Sequence, residues 1–74
     1  MKKRSISIKG HRTSISMEDE FWTEFSAIAL ARGQSIASLV AEIDQTRKIG
    51  LSSAIRLYIL AELKQKAALY NPMD

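Results

Sequence analysis

The stretch Arg12-Thr13-Ser14-Ile15-Ser16-Met17 decides how the rest of this chain is read. Held extended, it places Thr13, Ile15 and Met17 on one face and Arg12, Ser14 and Ser16 on the other. Ile and Thr favour a strand and Ser tolerates one. Helical patterning begins directly afterwards, at Glu18. A single strand feeding a helical chain has two open edges. Its partner must be another strand of the same chain or a second copy of the protein.

Upstream, residues 3–9 (Lys-Arg-Ser-Ile-Ser-Ile-Lys) alternate as well. Arg4, Ile6 and Ile8 share one face; Lys3, Ser5, Ser7 and Lys9 share the other. Lys9-Gly10-His11 has the composition of a turn, with Gly10 free to take positive φ. Residues 3–9 therefore fit a strand folded back on 12–17. They fit a mobile arm equally well, and the sequence leaves both open. Residues 4–8 echo 12–16 weakly.

Downstream the period changes from two to that of a helix. Phe21, Phe25, Ile28 and Ala29 form one apolar stripe, so a first helix is expected from about Glu18 to Arg32. Glu18, Asp19 and Glu20 suit its positive end, and Gly33 suits the position just past its last turn. The same three carboxylates are therefore read as helix-start electrostatics and not as a metal or catalytic cluster. Ser35 is the expected N-cap of a second helix carrying Ile36, Leu39, Val40 and Ile43 and ending near Thr46. Arg47-Lys48-Ile49-Gly50 reads as a loop. A third helix, capped by Ser52 or Ser53, carries Ile55, Ile59 and Leu63, widened by Tyr58, Leu60 and Ala67. Leu57 lies off that stripe, so this helix is apolar on more than one face. It is expected to fray before Tyr70, since Asn71-Pro72 disfavours continuation, with 67–74 as the C-terminal tail and 71–74 loose.

A chain of 74 residues holds one small domain. It has no cysteine to staple that domain or ligate a metal, yet 46% of it is hydrophobic. That is more apolar material than a small monomer buries readily, which suggests an oligomer. The net charge of +3 is unevenly spread. Residues 1–16 hold Lys2, Lys3, Arg4, Lys9 and Arg12 and no acid, whereas the other 58 residues hold six basic and eight acidic ones. A positive end on the strand region points to a polyanionic partner. No apolar run approaches the roughly 18 residues that span a bilayer, and no signal-peptide core of about 7–15 apolar residues follows the basic start. A cytoplasmic protein without membrane attachment is expected. His11 and scattered serines are the sole candidates for chemistry, and His11 beside Gly10 is more simply a turn residue. No enzyme, cofactor or metal is expected.

The order strand, helix, Gly-x-Ser corner, helix resembles the ribbon-helix-helix family, which includes the Arc and methionine repressors. The residues carrying the likeness are Arg12 through Phe21, Ala29 and Gly33-Gln34-Ser35, and it covers roughly residues 4–63. Within the family the chain looks most like a bacterial subgroup of small proteins, through its Arg-Thr-Ser-x-Ser strand, Phe21-Trp22 and Ala41-Glu42-Ile43-Asp44. It departs from the family's usual Leu-Pro-Glu-Glu corner, having Met17-Glu18-Asp19-Glu20, and it adds a third helix.

The resemblance implies a mainly α (α+β) fold with one short strand: a homodimer with an intermolecular antiparallel β-ribbon and an additional C-terminal helix. Residues 1–11 would be a basic arm or extra strand, 12–66 the domain and 67–74 the tail. Thr13, Ile15 and Met17 would face the dimer core. Arg12, Ser14 and Ser16 would enter the major groove of DNA, which admits a two-stranded ribbon. Arg12 can donate two hydrogen bonds to guanine, whereas Ser14 and Ser16 discriminate little. The family's phosphate contact at the start of helix two falls on Ser35 and the free N–H groups of Ile36 and Ala37. Lys2, Lys3, Arg4 and Lys9 would add phosphate contacts beside the ribbon. The function implied is that of a transcriptional regulator. The competing reading is a protein-interaction module, antitoxin-like or an adaptor, that meets a second protein through helix three.

Overall fold

The computed structural model describes residues 2–70. Two strands, β1 (Lys2–Ile8) and β2 (His11–Met17), are followed by three helices, α1 (Asp19–Ala31), α2 (Ile36–Thr46) and α3 (Leu51–Tyr70). Residues 2–8 are thus a strand in this structure. β1 pairs antiparallel with β2 along its whole length, from Lys2 opposite Met17 to Ile8 opposite His11, with Ser5 opposite Ser14 at the middle. One of the two open edges of β2 is therefore closed from within the chain.

The hairpin turn explains why the two strands can meet. Lys9 (φ 51) and Gly10 (φ 82) both lie in the left-handed region, as a two-residue turn matching the strands' twist requires. Glycine enters that region without steric penalty, and a Cβ at Gly10 would meet no atom within 4 Å. Gly10→Ala should therefore act through backbone strain alone and destabilise the hairpin by about 1–2 kcal/mol. A urea titration of the variant checks this.

Alternation then fixes what each face of the hairpin does. Ile8, Ile15 and Met17 are buried among Phe25, Ala29, Leu39, Val40, Ile43, Ile55 and Ile59, and Ile6 packs at the margin of this core. Phe25 is its centre, lying edge-on to Tyr58 and tilted against Trp22.

α1 stops where the sequence expects. Gly33 takes φ 69, its N–H donates to the Leu30 carbonyl and that of Gln34 to Ala29, so both orphan carbonyls are satisfied in a Schellman closure. Ser35 caps α2, its Oγ accepting the Ser38 N–H at 3.0 Å. α3 differs from expectation at both ends. It starts at Leu51 with the Ala54 N–H on the Gly50 carbonyl, so neither serine caps it. The Ser52 hydroxyl is used elsewhere, accepting the Ser16 N–H of β2 at 3.3 Å. At the other end α3 runs to Tyr70, into the segment expected to be tail, because the first residue to restrict it is Pro72. Residues 71–74 lie outside the described residues.

Candidate nucleic-acid interface

The face of the hairpin turned away from the helices is assembled by the cross-strand register. Lys3 lies opposite Ser16, Ser5 opposite Ser14, and Ser7 opposite Arg12. Five of these six side chains are exposed and Ser16 is half-buried. The face therefore carries four hydroxyls and two cations and no carboxylate. Hydroxyls offer both donors and an acceptor, and Arg12 offers a planar fork of donors. Lys9 and His11 are exposed at the turn end of the same hairpin.

The expected groove residues Arg12, Ser14 and Ser16 are thus brought together on one face, and Thr13, Ile15 and Met17 lie on the other. Ile15 and Met17 are fully buried and Thr13 is half-buried. The four cations expected to flank the ribbon do not share a position. Lys3 and Lys9 are exposed. Arg4 belongs to the inward face, where its guanidinium bonds Asp19 at 3.3 Å and stacks 4.6 Å over the Trp22 ring. That stacking withdraws Arg4 from the outward set. The side chain of Lys2 lies outside what is described. Ser35, Ile36 and Ala37 stand at the start of α2 as expected, with no acidic residue in that first turn.

Two of the three acids at the strand-to-helix corner are paired. Asp19 is paired with Arg4, and Glu18 is paired with Arg56 of α3 at 3.2 Å. The Glu18 carboxyl is lowered from its ordinary value, first by a bond from its own backbone N–H; desolvation pushes it upward next, and the bond and charge of Arg56 then lower it again. Because the folded value is lowered, this contact contributes stability above the ordinary carboxylate value. The contribution is lost as pH falls through the lowered value.

Three participants were not assigned from sequence. Ser5 and Ser7 complete the outward face, and their signal was present in the alternation of residues 3–9. Arg56 ties α3 to the corner and also donates to the Ser16 carbonyl at 3.3 Å; nothing local in the sequence marks that contact, since the residues are 40 apart. Among the described residues there is no group of three His, Cys, Asp or Glu side chains able to hold a metal, and no helix long and apolar enough to cross a membrane.

Comparison with curated proteins and with solved structures gives no match. The hairpin with its polar outward face, the Schellman closure and the serine-capped second helix do, however, agree with a family model. The model for the ribbon-helix-helix domain matches residues 1–63, and the chain belongs to that family, whose members are generally DNA-binding transcription regulators.

Proposed function

We propose that this protein is a sequence-specific DNA-binding regulator that acts as a homodimer in the cytoplasm, with the outward face of a two-stranded ribbon in the major groove. The observation that carries this reading is the outward face of β2, where Arg12, Ser14 and Ser16 stand together without an acid and with short hydroxyl side chains that let a ribbon approach base edges. Arg12 is the reader, as a bidentate donor to guanine; Ser14 and Ser16 make less selective base contacts. Ser35 with the N–H groups of Ile36 and Ala37 anchors a phosphate, and Lys2, Lys3, Lys9 and, once released from Asp19 and Trp22, Arg4 add electrostatic attraction that is independent of sequence. In the dimer, Thr13, Ile15 and Met17 of both chains line the buried side of the ribbon.

A reader and an anchor respond differently to truncation. Arg12→Ala should weaken a preferred duplex by about 1–3 kcal/mol and a scrambled duplex much less. Ser35→Ala should weaken both alike and lower helix stability by about 0.5–2 kcal/mol. Titration of both variants against one selected and one scrambled duplex at fixed salt tests the pair. Equal losses from Arg12→Ala would reduce Arg12 to a phosphate contact, and no loss on either duplex would remove the ribbon from the groove.

A second reading has its own support. Leu57 is 57% exposed and Leu60 49% on α3, and Leu69 is more exposed still. Apolar side chains in that number on one helix favour contact with a second protein. That reading becomes the primary one if the purified protein shows no salt-dependent retention on DNA.

A further inference from the structure

The hairpin pairs one sequence with a near copy of itself. Ser5-Ile6-Ser7-Ile8 recurs as Ser14-Ile15-Ser16-Met17, and the same shift carries Lys3 onto Arg12. The pairing places Ser5 opposite Ser14, Lys3 opposite Ser16 and Ser7 opposite Arg12. If each β1 residue is replaced by its β2 counterpart, Ser14 meets Ser14 and Arg12 meets Ser16 from both directions. That is the self-complementary register a symmetric ribbon between two chains must have. We propose that β1 is an in-chain stand-in for the β2 of a second copy, so that the closed hairpin and a β2–β2 ribbon exclude one another. The proposal rests on the dimer reading above and adds what controls it.

The main-chain groups of β2 identify the contested edge. Along an antiparallel strand the N–H and C=O of successive residues point to alternate edges. The Ser16 N–H donates to Ser52 Oγ and the Ser16 carbonyl accepts from Arg56, both at 3.3 Å. Ser16, and with it Ser14 and Arg12, therefore offers its main chain away from β1, and α3 covers that edge at Ser16. The edge formed by His11, Thr13, Ile15 and Met17 is the one β1 holds. A second copy has full access to β2 on that edge alone.

Width argues the same way. Strands lie about 4.8 Å apart, so adding a second hairpin on the outer edge would spread four strand axes over roughly 14 Å before side chains. The major groove is about 12 Å wide and admits two. A ribbon that enters it holds two β2 strands and leaves no place for either β1.

Release of β1 also has a use. Its inward anchors are Ile8, the partly buried Ile6, and Arg4 on Asp19 and Trp22. In the exchanged ribbon Ile15 and Met17 of the second copy take the places of Ile6 and Ile8. The freed segment then carries Lys2, Lys3, Arg4 and Lys9 toward phosphates. The same segment, Lys2–Ile8, is a strand in the lone chain and part of a basic arm in the dimer.

The absence of native cysteine makes a direct test available. Ser5 and Ser14 form a pair without direct ladder hydrogen bonds, where Cα atoms approach to about 4.5 Å, within disulfide reach. Full-length Ser14→Cys should cross-link under oxidised glutathione into a covalent dimer joined through position 14. Full-length Ser5→Cys/Ser14→Cys, oxidised when dilute and shown by mass spectrometry to be closed within one chain, should sediment as a monomer at concentrations where its reduced form dimerises. Ile6→Ser/Ile8→Ser, which loosens β1 without a cross-link, should tighten dimerisation about a hundredfold for a hairpin that outweighs the open form about tenfold, because both chains must open. A closed chain that dimerises as well as the reduced one overturns the exclusion and leaves the dimer standing. A reduced chain that stays monomeric, with no cross-link through position 14, overturns the dimer and the exclusion together. Weaker dimerisation of Ile6→Ser/Ile8→Ser also overturns the exclusion, because β1 would then be supporting the dimer.

Discussion

Ile15→Lys should unfold the protein. Ile15 has no exposed surface and sits on the inward face of β2 among the side chains of all three helices. A lysine there must bury an ammonium without a partner or lose its charge, and either outcome costs several kcal/mol. A domain of this size has only about 3–5 kcal/mol to lose. Circular dichroism of the variant at room temperature should show no cooperative melt. The informative control is one residue away. Ser14→Lys adds the same side chain on the outward, exposed face and should leave the melt within about 0.5 kcal/mol of the parent. If both variants melt alike, the inward and outward assignment of the strand is wrong.

Phe25→Ala should be the most damaging truncation in α1, at about 3–5 kcal/mol. The ring is fully buried, with centroids 6.1 Å from Trp22 and 6.5 Å from Tyr58. Its removal leaves a cavity that the helices cannot close without disturbing the hairpin above it. Phe21 is four residues earlier on the same stripe but half-buried, so Phe21→Ala should cost clearly less. Urea titrations of the two variants test this ranking: Phe25→Ala should retain little or no folded baseline, and Phe21→Ala a measurable midpoint. DNA affinity of Phe25→Ala should fall only in proportion to the unfolded fraction, unlike that of Arg12→Ala, which should fall with the melt unchanged. Comparable midpoints for both phenylalanine variants would place the centre of the core elsewhere.

The strand and the three helices were legible because each depends on a period that is visible over a few residues. Alternation from Arg12 to Met17 placed Ile15 and Met17 inside and the serines outside. Four- and three-residue spacing from Phe21 to Ala29 gave α1, and Gly33 and Ser35 gave the corner that follows it. The start of α3 is not legible in the same way: a serine before an apolar run suits an N-cap, and no local pattern shows that the Ser52 hydroxyl is taken by Ser16 of β2. The candidate site was half legible for the same reason. Arg12, Ser14 and Ser16 follow from one strand's alternation, whereas the neighbours that complete their face come from pairing.

By itself, then, the sequence determined the periods, the stops of α1 and α2 and the facing of each strand, all of which arise from sterics and burial between residues close in the chain. It also determined the concentration of positive charge in the first sixteen residues. The tertiary structure decided between arm and strand for residues 2–8, because that choice rests on whether Ile6 and Ile8 find a core to enter and on a register spanning the turn. It likewise decided that Arg4 turns inward to Asp19 and Trp22, and that Arg56 reaches Glu18 and Ser16 across the fold. Those contacts join residues 15 to 40 positions apart. Their strength depends on distance and burial in the folded molecule, and neither quantity is written in the local order of residues.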